Sequence, residues 1–167
     1  SGAAVSHRGL WLLRLAREER AEREGRRRGA RRVVLKKESA LGRIPADVTS
    51  LFISGVTLTV VHRLCELAGL RVLRFVGVDF FGILPVAVAE ALAEALTGLT
   101  ALESLELSDA GLGLQGAAAL AQRLPSLARL TRLDLAGNRF EDAGVVALAQ
   151  ALPRLTRLEW LSIRRNR

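Results

Sequence analysis

The second half of the chain repeats a leucine pattern every 28 residues. The pattern appears three times, as Leu102, Leu105 and Leu107, as Leu130, Leu133 and Leu135, and as Leu158, Leu161 and Ile163. A repeat of this length is one small structural unit that buries its apolar face only by stacking against its neighbours. The period therefore indicates a solenoid of stacked units.

The shared frame, L-x-x-L-x-L-x-x-N-x-L, also fits weaker copies earlier in the chain. They consist of Leu70, Leu73, Phe75, Val78 and Phe80, and before them of Val48, Leu51, Ile53, Val56 and Leu58. The frame predicts a domain of five units over residues 48–167, which start at residues 48, 70, 102, 130 and 158. Residues 1–47 are assigned to a separate N-terminal arm and lead-in.

Each unit combines two kinds of apolar pattern. Alternation at Leu105 and Leu107 predicts a short strand with one buried face. Apolar residues then recur with helical spacing, as Val60, Val61, Leu64, Leu67 and Ala68; as Val88, Leu92, Ala95 and Leu96; as Ala117, Leu120, Ala121 and Leu124; and as Val145, Leu148, Ala149 and Leu152. Asp142 is the predicted N-cap of the last helix. Each unit is therefore expected to be a strand followed by a helix.

The frame, together with the similarity of residues 116–124 to residues 144–152, resembles the leucine-rich-repeat family. The resemblance covers residues 48–167 and is closest to the ribonuclease-inhibitor-like subfamily. It implies an α/β solenoid, with short parallel strands on the concave face and helices on the convex face. In that family the frame's asparagine closes the turn through hydrogen bonds to the backbone, a role open here to Asn138 and Asn166. The other units carry Val56, Val78 and Ala110 at this position.

Positive charge is concentrated in the N-terminal arm. Residues 1–47 contain 13 Lys and Arg against 6 Asp and Glu, while residues 48–167 contain 12 against 11. The arm is predicted to be helical over residues 8–24 and extended over residues 31–37. Eight of its basic residues are predicted to bind a polyanion such as RNA through phosphate contacts: Arg26, Arg27, Arg28, Arg31, Arg32, Lys36, Lys37 and Arg43. A solvated tail and a segment for protein docking or nuclear targeting are the alternatives.

The positions between the ladder leucines are expected to point out of the concave face and to contact a protein partner. The predicted contact residues are Phe52, Val72, Arg74, Glu106, Arg132, Asp134, Trp160 and Arg164. Phe52, Val72, Val76 and Trp160 are apolar where solvent is expected, and exposed apolar patches usually mark contacts. The alternative is that the arm or a neighbouring chain covers them. Trp160, beside Arg132 and Arg164, is the strongest candidate because Trp and Arg dominate interface energetics.

The sequence predicts no catalytic, metal or cofactor site and no small-molecule substrate. His7 and His62 lie in unrelated parts of the pattern, and Cys65 is expected to be a buried apolar residue of its helix. Phosphate-binding glycine loops and metal-ligand spacings are missing from the sequence. No apolar run reaches the roughly 18 residues that span a bilayer, so no membrane span is expected.

The expected function is therefore a non-catalytic scaffold that binds proteins within a larger assembly. Partners are expected on the concave face and at the C-terminal end, where the last strand lacks the helix of a full unit and is uncapped. The alternative is a structural subunit of a ribonucleoprotein, such as an organellar ribosome, with the arm on RNA. A single cysteine fits a reducing compartment, so the expected location is intracellular, either cytoplasmic or mitochondrial.

Overall fold

A computed structural model describes residues 32–35, 44, 47–54, 57–76 and 84–166 of the chain, and of residues 32–35, 54 and 76 only the backbone. The helix predicted over residues 8–24 lies outside the described residues. So do seven of the eight predicted polyanion-binding residues, since only Arg32 falls within the described ranges.

The strands form one parallel sheet in chain order. Its six strands are β1 (Arg32–Leu35), β2 (Ser50–Ser54), β3 (Val72–Val76), β4 (Ser104–Glu106), β5 (Arg132–Asp134) and β6 (Trp160–Ser162). The register places the middle leucine of the frame side by side in five strands, as Leu51, Leu73, Leu105, Leu133 and Leu161. The predicted parallel strands and their alignment are confirmed for β2 to β6.

Strand β1 lies within the segment that the sequence assigned to the arm. It pairs in parallel with β2, with Arg32 opposite Ser50 and Leu35 opposite Ile53. The extended stretch predicted near residue 34 is confirmed, and the sheet begins before residue 48. Arg32, predicted to bind a polyanion, thus has its backbone in the sheet.

Four helices follow strands and pack against one another in order. They are α1 (Leu58–Leu64), α2 (Val86–Leu96), α3 (Gly113–Arg123) and α4 (Glu141–Ala151), and short 3-10 turns extend the last two over Leu124–Ser126 and Leu152–Arg154. Leu64, Leu92, Leu120 and Leu148 bury the inner sides of the helices against the ladder leucines of the sheet. The result is a two-layer core in which every unit is covered by the next.

The prediction for Cys65 is wrong, because α1 is shorter than its apolar pattern. The helix is capped by the Thr57 side chain and ends at Leu64, so Cys65 lies in the following turn and is exposed. Only 22 residues separate Leu51 from Leu73, which leaves room for two helical turns. Leu67 is buried from the turn itself.

The predicted N-cap of the last helix is also wrong. Helix α4 begins at Glu141, so Asp142 lies inside its first turn and no side chain caps the helix. The two carboxylates there interact favourably with the positive end of the helix dipole. Ala149, predicted as buried, is exposed, while Gly144, Leu148 and Ala151 form the buried side of α4.

The turn after β5 is organised by a buried asparagine. The Oδ1 atom of Asn138 accepts hydrogen bonds from the N–H groups of Ala110 and Leu112, and its Nδ2 donates to the carbonyls of Leu107 and Leu135. Asn138 therefore ties its own turn to the turn of the previous unit. This helps to explain how that unit accommodates Ala110 at the asparagine position.

Asn166 repeats the arrangement one unit later. Its Oδ1 accepts a hydrogen bond from the N–H of Asn138, and its Nδ2 donates to the carbonyls of Leu135 and Ile163. The turn-closing role expected of both asparagines is confirmed.

Candidate functional site

The candidate site is the face of the sheet opposite the helices, hereafter the open face. The register aligns two rows of side-chain positions across it, Phe52, Arg74, Glu106, Asp134 and Ser162 in one, and Ser50, Val72, Ser104, Arg132 and Trp160 in the other. The rows predicted from the sequence are confirmed. They contain all the predicted contact residues except Arg164, which follows β6.

The first half of the open face is closed by internal contacts of Arg74. Its guanidinium lies over the ring of Phe52, 5.1 Å from the centroid, and its Nη2 donates to Oε1 of Glu106 at 2.7 Å. The side chains of Arg74 and Glu106 are only 27% and 19% exposed. Phe52 is itself 7% exposed, so the expectation of an exposed phenylalanine is wrong: strand packing and Arg74 cover it.

A second Arg–Glu pair lies beside the first and was not predicted. Nε and Nη2 of Arg71 both donate to Oε1 of Glu103, at 2.9 and 2.6 Å. Both residues occupy the second position of the frame, one residue before β3 and β4. Opposite charges at equivalent positions of adjacent units were the sequence signal for this pair. The two pairs leave strands β3 and β4 electrically balanced.

The second half of the open face carries an exposed aromatic–cation contact. The guanidinium of Arg132 lies 4.3 Å from the ring centroid of Trp160, and Trp160 remains 38% exposed. Within the described ranges neither Arg132 nor the exposed Arg164 forms an ion pair. We call the residues Arg132, Asp134, Trp160, Ser162 and Arg164 the Arg–Trp patch.

The polar residues of the Arg–Trp patch are used unequally. Asp134 turns Oδ1 towards its own strand end, where it accepts the N–H of Ala136 at 3.1 Å. Ser162 is 5% exposed, and its Oγ finds no hydrogen-bond partner in the described part of the chain. The patch thus contains two unpaired guanidinium groups and one unsatisfied hydroxyl.

Apolar side chains are uncovered on the outer side of β6 and α4. Leu161 is 36% exposed, whereas Leu133, its equivalent in β5, is fully buried. Ile163 and Leu158 are partly buried, and Val146 on α4 is exposed. Nothing among the described residues packs on this side, which is the end that the sequence analysis expected to be uncapped.

The remaining candidate residues do not converge on a site. His62 and Cys65 are both exposed and belong to the region of α1. The described residues contain no group of three or more His, Cys, Asp or Glu side chains that could hold a metal ion. In the same ranges, no helix has the length and apolar character that crossing a bilayer requires.

Comparison with known families points to the repeats themselves. Residues 98–121 and 129–149 match a family model described as Leucine Rich repeat, and the comparison with curated proteins gave no match. The first segment contains β4 and most of α3, and the second contains β5 and most of α4. Such repeats generally serve as non-catalytic binding scaffolds, and they commonly mediate protein–protein interactions. The sheet register and these two matches together show that the chain contains leucine-rich repeats.

Proposed function

We propose that the chain is a non-catalytic scaffold of the ribonuclease-inhibitor-like kind, which grips a protein partner with its open face inside a larger assembly. The observation that carries the proposal is the Arg132 guanidinium stacked on the partly exposed Trp160 ring. Trp and Arg are enriched among the residues whose truncation costs an interface most of its energy. This pair presents both on one rigid strand edge.

The stacking also prepares the pair for binding. A long arginine side chain loses rotamer freedom when it is ordered at an interface, and this loss weakens binding. Arg132 is already held against Trp160, and both residues project from paired strands. A partner therefore meets an ordered surface, and less of the interaction energy is spent on ordering it.

The repeat dimensions support the subfamily part of the proposal. Strands β4, β5 and β6 follow one another at 28-residue intervals, and helices α3 and α4 each contain 11 residues. Repeats of this length with a full helix are what the ribonuclease-inhibitor-like subfamily carries. The single cysteine supports an intracellular location, in the cytoplasm or in mitochondria.

The proposal is tested by removing the stacked pair. The double variant Trp160→Ala, Arg132→Ala should retain its protein partners at least about tenfold more weakly, because truncating a hot-spot residue costs about 2 kcal/mol or more. Immobilised chain is exposed to cell extract and the retained proteins are quantified by mass spectrometry. The circular-dichroism spectrum should not change.

The matched control removes one arginine and one exposed apolar residue elsewhere. Arg129 lies in the turn before β5 and Val86 is the exposed first residue of α2. The variant Arg129→Ala, Val86→Ala should retain the same proteins as the unmodified chain. If the Trp160 variant also retains them unchanged, the open face is not the binding site.

A ribonucleoprotein subunit is the second candidate, supported by the charge of the arm alone. If about five of the eight basic residues contact single-stranded RNA, log affinity should fall with log salt at a slope of about −3.5, from about −0.7 per phosphate. The variant Arg26→Gln, Arg27→Gln, Arg28→Gln leaves β1 intact and should reduce the slope to about −1.4. Fluorescence anisotropy of a labelled RNA measures both slopes, and a flat salt response would exclude this function.

A further inference from the structure

We infer that the protein segment bound at the Arg–Trp patch is acidic, with carboxylates that pair with Arg132 and Arg164. This inference rests on the proposed function and names the chemistry of the partner. It starts from a difference between the two halves of the open face. Arg71 and Arg74 have glutamates of the chain itself, whereas Arg132 and Arg164 pair with no carboxylate of the described residues.

The geometry of Arg132 leaves it ready for a carboxylate. Stacking on Trp160 covers one face of the guanidinium, but the N–H groups lie around its edge and stay available. A guanidinium edge binds a carboxylate through two parallel hydrogen bonds, which are stronger than neutral ones. The arginine is also half-buried, so a partner's carboxylate would be screened less there than on an open surface.

The only acidic residue of the patch does not fill this role. Asp134 uses Oδ1 for the N–H of Ala136, and its carboxylate is not within ion-pair distance of Arg132. The adjacent Glu106 is already held by Arg74. The positive charge of Arg132 and Arg164 therefore remains for a partner to neutralise.

A peptide fits this surface better than a nucleic acid does. Glu103, Glu106 and Asp134 lie on or beside the same face, and they would repel a continuous phosphate backbone laid along it. Single-stranded nucleic acid is usually held by several stacked aromatic rings, and in the described rows only Trp160 is both aromatic and exposed. A peptide places carboxylates at chosen positions and leaves the others neutral.

The spacing of the two arginines sets the spacing of the acidic residues. Arg132 is opposite Trp160, and Arg164 lies four residues beyond Trp160. At about 3.3 Å per extended residue the two positions are roughly 13 Å apart along the strands. An extended partner segment should therefore carry acidic residues about four positions apart.

The test selects binding peptides from random sequences, so the partner need not be identified first. A phage-displayed library of random peptides, about twelve residues long, is first depleted on the Trp160→Ala, Arg132→Ala variant and then selected on the full chain. The depletion removes peptides that bind the basic arm, because the variant carries the same arm. Sequencing should show enrichment of Asp and Glu at a separation of about four residues.

Charge variants then tie the enriched peptides to the two arginines. A synthetic copy of the best peptide should bind at least tenfold more weakly to Arg132→Gln and to Arg164→Gln, measured by fluorescence anisotropy. Arg129→Gln, an exposed arginine away from the open face, should leave the affinity unchanged. Selection on the Arg132→Glu, Arg164→Glu variant should enrich Lys and Arg in place of the acidic residues.

Failure of the inference differs from failure of the proposed function. Peptides that need Trp160 but lack acidic enrichment overturn the acidic partner and leave a protein-binding face. If no selected peptide depends on Trp160, the open face is not a peptide-binding surface and both conclusions fall. A single-stranded RNA whose binding depends on Arg132 and Trp160 would assign the patch to nucleic acid.

Discussion

A single buried side chain, Asn138, holds two turns of the solenoid in place. It makes five hydrogen bonds with backbone groups, two as acceptor and three as donor, and is fully buried. The groups it satisfies belong to turns where the chain leaves the sheet and cannot bond to a neighbouring strand. Buried backbone groups without a partner cost about 1–3 kcal/mol each, so the asparagine is a condition for these turns.

Replacing this asparagine should therefore be costly. Asn138→Ala is expected to lower the free energy of unfolding by about 2–4 kcal/mol, because several buried donors and acceptors lose their partner together. Urea denaturation followed by circular dichroism measures the loss. Asn166→Ala is the matched control and should cost less, since Asn166 is only partly buried. Equal losses at the two positions would contradict the importance of burial.

The sequence predicted residues well where the frame alone decides their environment. The rows of the open face follow from strand alternation, and Asn138 follows from the family resemblance. Phe52 and Cys65 were wrong because neighbours outside the frame decide their exposure, Arg74 above Phe52 and the early end of α1 before Cys65. The Arg71 and Glu103 pair was missed because single units were read separately, while the pair joins two units.

Among the helices, α3 and α4 approach each other closely at a glycine. A Cβ atom added to Gly144 would lie 2.9 Å from the Cβ of Ala117 and 3.1 Å from the Cβ of Phe140. Such distances are shorter than ordinary carbon contacts, so the two helices pack at this separation only with glycine there. The glycine sets the spacing between adjacent units on the helical side.

Gly144→Ala should destabilise the protein although alanine is the better helix former. The helix propensity favours alanine by about 1 kcal/mol, but overpacking a well-packed contact costs about 1–3 kcal/mol, and we expect a net loss of about 1 kcal/mol. Gly69→Ala is the control, since no atom lies within 4 Å of the added Cβ. A thermal-unfolding midpoint raised by Gly144→Ala would show that the helices can separate freely.

Strand β1 shows the limit of repeat detection at the level of elements. The offset from β1 to β2 is 18 residues, well below the 28-residue period, so a search at that period passes over it. Its apolar residues also lie between Arg32 and Lys36 in a strongly basic stretch, where charge dominates the pattern. The later strands were predicted because three equally spaced copies establish the frame, and the weaker copies then follow from it.

Across the whole molecule, the stability of a ladder position depends on how many neighbouring layers cover it. Leu133 has strands on both sides and is fully buried, whereas Leu161 is in β6 and is 36% exposed. In a stacked array the stability is approximately a sum over units and their interfaces. Equal side chains at equivalent positions therefore contribute unequally.

A pair of leucine truncations tests this dependence. Leu133→Ala should cost about 2–5 kcal/mol, as expected when a buried leucine leaves a cavity. Leu161→Ala should cost less than half as much, because solvent already reaches that side chain and less contact is lost. Chemical denaturation of both variants gives the comparison, and a loss of less than about 1 kcal/mol at Leu133 would refute the layered core.

The equal spacing of β4, β5 and β6 makes the units at that end interchangeable. Each step is 28 residues long, and each strand starts from the same frame position, so the segment between two steps has matching joints at both ends. Excising residues 130–157 would join Arg129 to Leu158 and bring Trp160 beside Ser104 without a change of register. The face could thus be shortened or lengthened by one strand at a time here, whereas the 22- and 32-residue steps before β3 and β4 offer no such matching joint.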